Sequence, residues 1–276
     1  MDTIPHIISA SRRCDLPAYY GDWFMQCLNS GVAHYRHPYS GTPLEVSLQR
    51  EDVIGFVFWS KDFSPFKTLL AEIAHRGFPF YCQFTITGLD APLEPHLPPL
   101  DERLACFRAL AEHYGPDHMV WRFDPIVIST VCSTDQTFSR FARLCDKLYD
   151  TTDECVVSFM QHYRKVDARL KRLEQESSVR VIDTSDDERR ALLARMANHA
   201  QRHGMRVTVC CQDGLVGGTV GKAHCVDVDR FARFLPGSLP DVPRQGTRRE
   251  CGCSYSVDIG TYGQCGHECV YCYARR

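Results

Sequence analysis

Short apolar runs recur along the chain at residues 6–10, 54–59, 80–86, 119–123, 155–159, 206–210 and 255–259. Between them, at 18–30, 65–76, 100–114, 135–149 and 186–203, apolar residues return every three or four positions. The first pattern predicts strands buried on both faces, and the second predicts amphipathic helices. Ser, Asp or Pro opens several of the helical stretches, and Gly31, Gly77, Gly115 and Gly204 stand at their ends, where a chain leaving a helix favours glycine. Residues 44–48 fit an eighth strand or one arm of a hairpin equally well.

Strands alternating with helices imply a parallel sheet covered by helices, either closed into a (β/α) barrel or open and doubly wound. The pattern predicts the barrel, TIM-like or partial. No glycine-rich phosphate loop follows an early strand, and polar residues fall at the same place in every repeat. These tails are Ser11 to Asp15, Ser60 to Asp62, Thr85 to Thr87, Arg122 to Pro125, Gln161 to Lys165, Cys211 to Asp213, and the loop after Gly260. In a barrel all of them meet on one rim. Taken singly, each is ordinary loop composition, and Arg122 with Asp124 reads as a simple ion pair. The proline-rich stretch at 90–100 reads as a stiff surface loop leading into a helix.

At 276 residues and 44% hydrophobic, the chain can bury a full core as one domain. A net charge of -2 gives no global attraction to nucleic acid or to an acidic membrane. No run of about 18 apolar residues occurs, and the N-terminal apolar run is too short for a signal segment, so a cytoplasmic protein without a membrane span is expected. In that setting fifteen cysteines point to metal rather than to disulfides. Cys14, Cys27, Cys82, Cys106, Cys145 and Cys155 sit in apolar or helical contexts and read as small buried hydrophobes, with Cys132 beside them. The other eight fall between Cys210 and Cys272.

Cys265, Cys269 and Cys272 are spaced so that three thiols can close around one metal centre within a single loop, leaving a fourth position open. The segment Gly-Gln-Cys-Gly-His-Glu-Cys-Val-Tyr-Cys-Tyr-Ala resembles the cluster loop of radical S-adenosylmethionine (SAM) enzymes, in particular the spore photoproduct lyase branch. The resemblance implies a [4Fe-4S] cluster on these three thiolates, SAM on its fourth iron, and reductive cleavage to a 5′-deoxyadenosyl radical. It also places Tyr271 near the adenine. Such loops normally follow the first barrel strand, so here the barrel is expected to be circularly permuted, with the cluster-bearing strand at 255–259 lying beside the strand at 6–10. No Gly-Gly-Glu type motif for the SAM amine is present, and Ser9, Ser11 and Arg12 are expected in its place. The whole chain also resembles an uncharacterised bacterial domain family that begins with an Ile-Ser-Ala-Ser-Arg-Arg-like segment and ends in this cysteine loop.

That second resemblance groups Cys211, Cys225, Cys251 and Cys253, within and beside the linker at 211–253, as a further thiol set, with Cys210 left over and His224 only a neighbour. Four thiolates suit an auxiliary [4Fe-4S] cluster or zinc, and a set without metal remains open. Arg12, Arg13, Lys61, Arg122 and Arg164 favour a carboxylate or phosphate substrate. Arg12 and Arg122 are also candidates for the SAM carboxylate, and Asp124 for the ribose hydroxyls. Cys14 and Tyr163 are candidate hydrogen-atom donors. The reading implies a one-electron donor such as flavodoxin or ferredoxin. The alternative is a non-enzymatic iron-sulfur or zinc module contacting nucleic acid or a protein, in which His267 completes the terminal loop's ligands.

Overall fold

The computed structural model describes residues 5–237 and 239–275. Its strands are β1 (His6–Ala10), β2 (Val32–Arg36), β3 (Pro43–Ser47), β4 (Val53–Ser60), β5 (Phe80–Thr85), β6 (Met119–Ile126), β7 (Glu154–Phe159), β8 (Arg206–Val209), β9 (Val220–Lys222) and β10 (Ser256–Asp258). The helices are α1 (Leu16–Tyr19), α2 (Gly21–Ser30), α3 (Lys67–His75), α4 (Leu100–Tyr114), α5 (Thr134–Leu148), α6 (Arg164–Ser177), α7 (Asp186–Gln201) and α8 (Val228–Phe231).

Eight strands form one parallel sheet in the order β10-β1-β4-β5-β6-β7-β8-β9. The sheet is open, a Rossmann-like layout, and the expected closed barrel is not formed: no pairing joins β9 to β10 among the described residues. Both edge strands are only three residues long. Polar tails at the strand ends share one rim whether a sheet closes or not, so they could not tell the two layouts apart. Residues 44–48 take the hairpin alternative, with β3 antiparallel to β2 outside the main sheet.

Successive residues of a strand point to opposite faces, and the two faces carry different cores. Phe56, Phe58, Phe80, Phe84, Trp121 and Phe123 pack with the apolar stripes of α2, α3, α4, α5 and α7. Ile7, Val57, Tyr81, Val120 and Val156 pack instead with Val226, Val228, Phe231 and Val242, from the segment that crosses the other face. Capping boxes start α5 (Ser133 with Gln136) and α7 (Ser185 with Glu188), each worth about 1 kcal/mol.

Gly55 is where the crossing segment meets the sheet. A Cβ there would stand 2.3 Å from the Phe231 ring and 2.8 Å from the Pro79 carbonyl oxygen, which already accepts from Phe56 N. Gly55→Ala should lower unfolding stability by about 1–3 kcal/mol, the usual cost of overpacking. Urea unfolding checks this, and a change below about 0.5 kcal/mol would mean that α8 is not wedged against β4.

Candidate metal and cofactor cavity

Strand β10 delivers the terminal cysteine loop, and its last residue, Asp258, locks that strand to the segment after β1. The buried carboxylate accepts from Ser9 Oγ at 3.0 Å, Ser11 Oγ at 2.6 Å, Arg12 N at 2.8 Å and Gly260 N at 3.1 Å. Arg12 and Arg13 pair with it at 3.4 and 3.7 Å. Burial works against the charge, but the two guanidinium groups and the Ser11 bond outweigh it and hold the carboxyl below its ordinary range. Arg13 also donates to the carbonyls of Asp258 and Gly260. A side chain at Gly260 would collide with Ser11 Oγ at 1.9 Å. Ser9, Ser11, Arg12 and Arg13, expected to meet cofactor or substrate, therefore share the task of docking the chain end.

Beyond Gly260 the loop is pinned on several sides. His267 Nε2 stands 2.8 Å from Asp15 Oδ2, and its Nδ1 lies 3.0 Å from the Tyr19 hydroxyl and 3.2 Å from the His96 carbonyl oxygen. Asp15 also accepts from Ser60 Oγ, Lys61 N and Ala18 N. Val270 N donates to the Leu93 carbonyl at 3.0 Å, and Arg169 donates to the carbonyls of Val270 and Cys272. The Tyr271 hydroxyl donates to Glu94, which also accepts from Lys61 Nζ at 2.8 Å and Thr87 Oγ1 at 2.7 Å. The proline-rich stretch at 90–100 is thus not simply surface: Leu93 and Glu94 are buried and brace the cysteine loop.

Burial pushes the Cys265 thiol up to about 11 and the Cys269 thiol up to about 12, with Lys61 partly offsetting the latter. Burial opposes the Lys61 charge, but Glu94 outweighs it and keeps the ammonium above its ordinary value. Without a metal, the Cys265 and Cys269 thiols stay protonated near neutral pH, and a metal binding them must displace those protons.

The second thiol group forms a ring. Cys210 Sγ lies 3.7 Å from Cys211 Sγ and 3.5 Å from Cys225 Sγ. Cys251 and Cys253 complete the group, Cys211 interacting with Cys251, Cys251 with Cys253, and Cys253 with Cys225. Bonds from Cys211 and Cys225 lower the pKa of Cys210, and bonds from Cys211 and Cys253 lower that of Cys251. Arg122 Nη1 donates to Cys225 Sγ at 3.1 Å and Arg248 Nη2 to Cys210 Sγ at 3.7 Å. The Cys210 spacings approach the roughly 3.8 Å edge of a tetrahedron with 2.3 Å metal–thiolate bonds. The family resemblance left Cys210 out of the set, whereas in space it lies with Cys211 and Cys225.

Both thiol groups open onto one cavity of about 870 Å3 at the C-terminal ends of the strands. The Arg12 and Arg122 guanidinium groups lie 5.7 Å and 5.0 Å from the Trp59 ring. The Tyr273 hydroxyl donates to the Arg12 carbonyl. Residues 7–274 match Domain of unknown function (DUF1848). The chain belongs to that family. No curated protein and no solved structure matches it.

Of the residues singled out in the DUF1848 sequence, Ser11, Arg12, Arg13, Cys14, Lys61, Arg122, Asp124, Tyr163 and Tyr271 line the cavity with the thiols. Ser9 is fully buried against Asp258 and Trp59, and Arg164 is an exposed residue at the start of α6, off the cavity wall. Cys14 is pushed up to about 12 by burial. Tyr163 donates to Gln161 Oε1 at 2.9 Å. Arg122 is engaged by Gln83 and Asp124 as well as by Cys225. Asp258, Glu94 and Arg248 were not singled out. The one available signal was an acidic residue closing the strand just before Gly260.

Proposed function

We propose that this DUF1848 chain is a radical SAM enzyme that acts on an anionic substrate in the cavity between the terminal cysteine loop and the thiol ring. The observation that carries the reading is the opening of both thiol groups onto one space, whose volume suits a cofactor together with a small substrate. Cys265, Cys269 and Cys272 would hold a [4Fe-4S] cluster, and the thiol ring a second cluster or zinc. A cluster bound at the loop would pass one electron to SAM, drawn from a donor such as flavodoxin or ferredoxin, and split the sulfonium to a 5′-deoxyadenosyl radical.

The protein's own part is to hold and shield. Asp15 and Arg169 fix the loop backbone and His267, so the thiols face the cavity without rearranging. Lys61 favours the thiolate form of Cys269. Arg12, Arg122 and Arg248 offset negative charge on the ring and supply the guanidinium groups that a carboxylate or phosphate would meet. Among the described residues, the donors that all lie within 4.8 Å of one another are Cys145, His199 and His203. Neither three loop thiols nor three ring thiols form such a group. The non-enzymatic alternative needs His267 as a fourth ligand, and both ring nitrogens of His267 already have protein partners.

The test is anaerobic purification with iron, sulfide and zinc quantified, followed by dithionite, SAM and assay for 5′-deoxyadenosine. Iron near four or eight per chain with SAM-dependent product supports the proposal. Zinc without iron and no SAM cleavage sinks it and favours the binding module.

A further inference from the structure

On the helix-covered side of the sheet, a different donor set comes together. One ligand atom from each of Cys145, His199 and His203 lies within 4.8 Å of the other two. Asp146 Oδ1 stands 2.7 Å from His199 Nε2 and 2.9 Å from His203 Nε2. Cys145 is fully buried in the core of that face, whereas the imidazoles are only partly exposed. The thiol ring packs on the opposite face.

Helix geometry explains the convergence. Cys145 and Asp146 begin the last turn of α5, His199 lies in the last turn of α7, and His203 follows in the turn after it. These helices pack against each other. Each runs on toward a parallel strand, β7 after α5 and β8 after α7, so their C-terminal ends gather at the rim where strands begin. The cavity lies at the other rim.

We propose that Cys145, His199 and His203 form a separate site for a zinc-class divalent cation, with Asp146 orienting the two imidazoles. One thiolate and two neutral imidazoles are the mixed sulfur–nitrogen set that tetrahedral zinc takes, with a fourth position for water. A carboxylate that holds ligating histidines in place is the usual outer partner of such sites. The C-terminal ends of two helices also favour a cation there through their carbonyl dipoles. A bound ion would tie α5 to α7 independently of whatever chemistry occurs in the cavity. Without an ion, Asp146 simply links the two histidines, and the experiment separates these cases.

The full chain is stripped with a chelator under anaerobic conditions and titrated with Co2+, which reports geometry and sulfur ligation in its absorption spectrum. Because the thiol ring and the terminal loop would also offer thiolates to cobalt, the reading is the difference between proteins. His203→Gln, a substitution at a partly exposed position, should bind one equivalent fewer than wild type. It should also lack the part of the sulfur-to-cobalt absorption that Cys145→Ser removes. Asp146→Asn should weaken that equivalent by about 10–100-fold. Equal cobalt binding by wild type and His203→Gln overturns the site. So does a lost equivalent that is octahedral and unchanged by Cys145→Ser, because the thiol then takes no part.

Discussion

Cys269→Ala should abolish the proposed 5′-deoxyadenosine formation and the iron binding expected of the terminal loop, whereas Cys251→Ala should lower total iron or zinc yet retain part of the SAM cleavage. The contrast follows from where the two thiols sit. Cys269 is one of only three loop thiols, and its loss leaves two, too few to retain a cluster. The expected loss exceeds the roughly 10–100-fold cost of removing an outer-shell partner of a metal site. The variant should still fold, because the loop is held by Asp15, Leu93 and Arg169 through His267 and backbone carbonyls rather than through thiols. Cys251 belongs to the ring, where four other thiols remain. Metal analysis, circular dichroism and SAM cleavage on both variants check this. Identical behaviour of the two would mean that the thiols do not form two separate sites.

The long apolar strands were legible in the sequence, and so were short β8 and β10 at 206–210 and 255–259, whereas short β9 was not. Val220–Lys222 has too few residues to show a period, yet it is the edge that leaves the sheet open. Helix α6 was missed because Val166, Leu170 and Leu173 make a narrow apolar stripe among many charges, enough only to cover the cysteine loop's neighbourhood. Terminal-loop spacing carried its meaning locally, since three thiols in eight residues need no tertiary contact to be noticed.

The ring was harder to see. Neighbours in a strand face opposite sides, so adjacency alone gives no signal that Cys210 and Cys211 share one site. Cys211, just past the end of β8, takes a positive φ of 53° that turns the chain and brings both thiols together. Glu94 was hidden for the opposite reason. Its flanking prolines suggest surface, while Leu89 and Leu93 on the same stretch pack beneath Cys269 and Tyr271.

Asp258→Ala should destabilise the fold by about 3–5 kcal/mol, the cost of breaking a buried ion pair from one side. It strands two guanidinium groups and leaves the hydroxyls of Ser9 and Ser11 without their acceptor. Asp258→Asn keeps the shape but removes the charge, so it isolates the electrostatic part. In the fold the carboxyl pKa lies below its ordinary value. The ionised form therefore stabilises the native state fully above the unfolded pKa of about 3.9, and that contribution is lost as pH falls through the lower folded value. Denaturant unfolding of wild type and Asp258→Asn should differ most at neutral pH and converge in acid below about pH 4. Since Asp258 joins the last strand to the first, the variant should also expose the cysteine loop to proteolysis before the remainder of the sheet unfolds. A variant within about 0.5 kcal/mol of wild type at neutral pH, with the loop still protected, would show that the chain end docks through its other contacts and that Asp258 is not the lock.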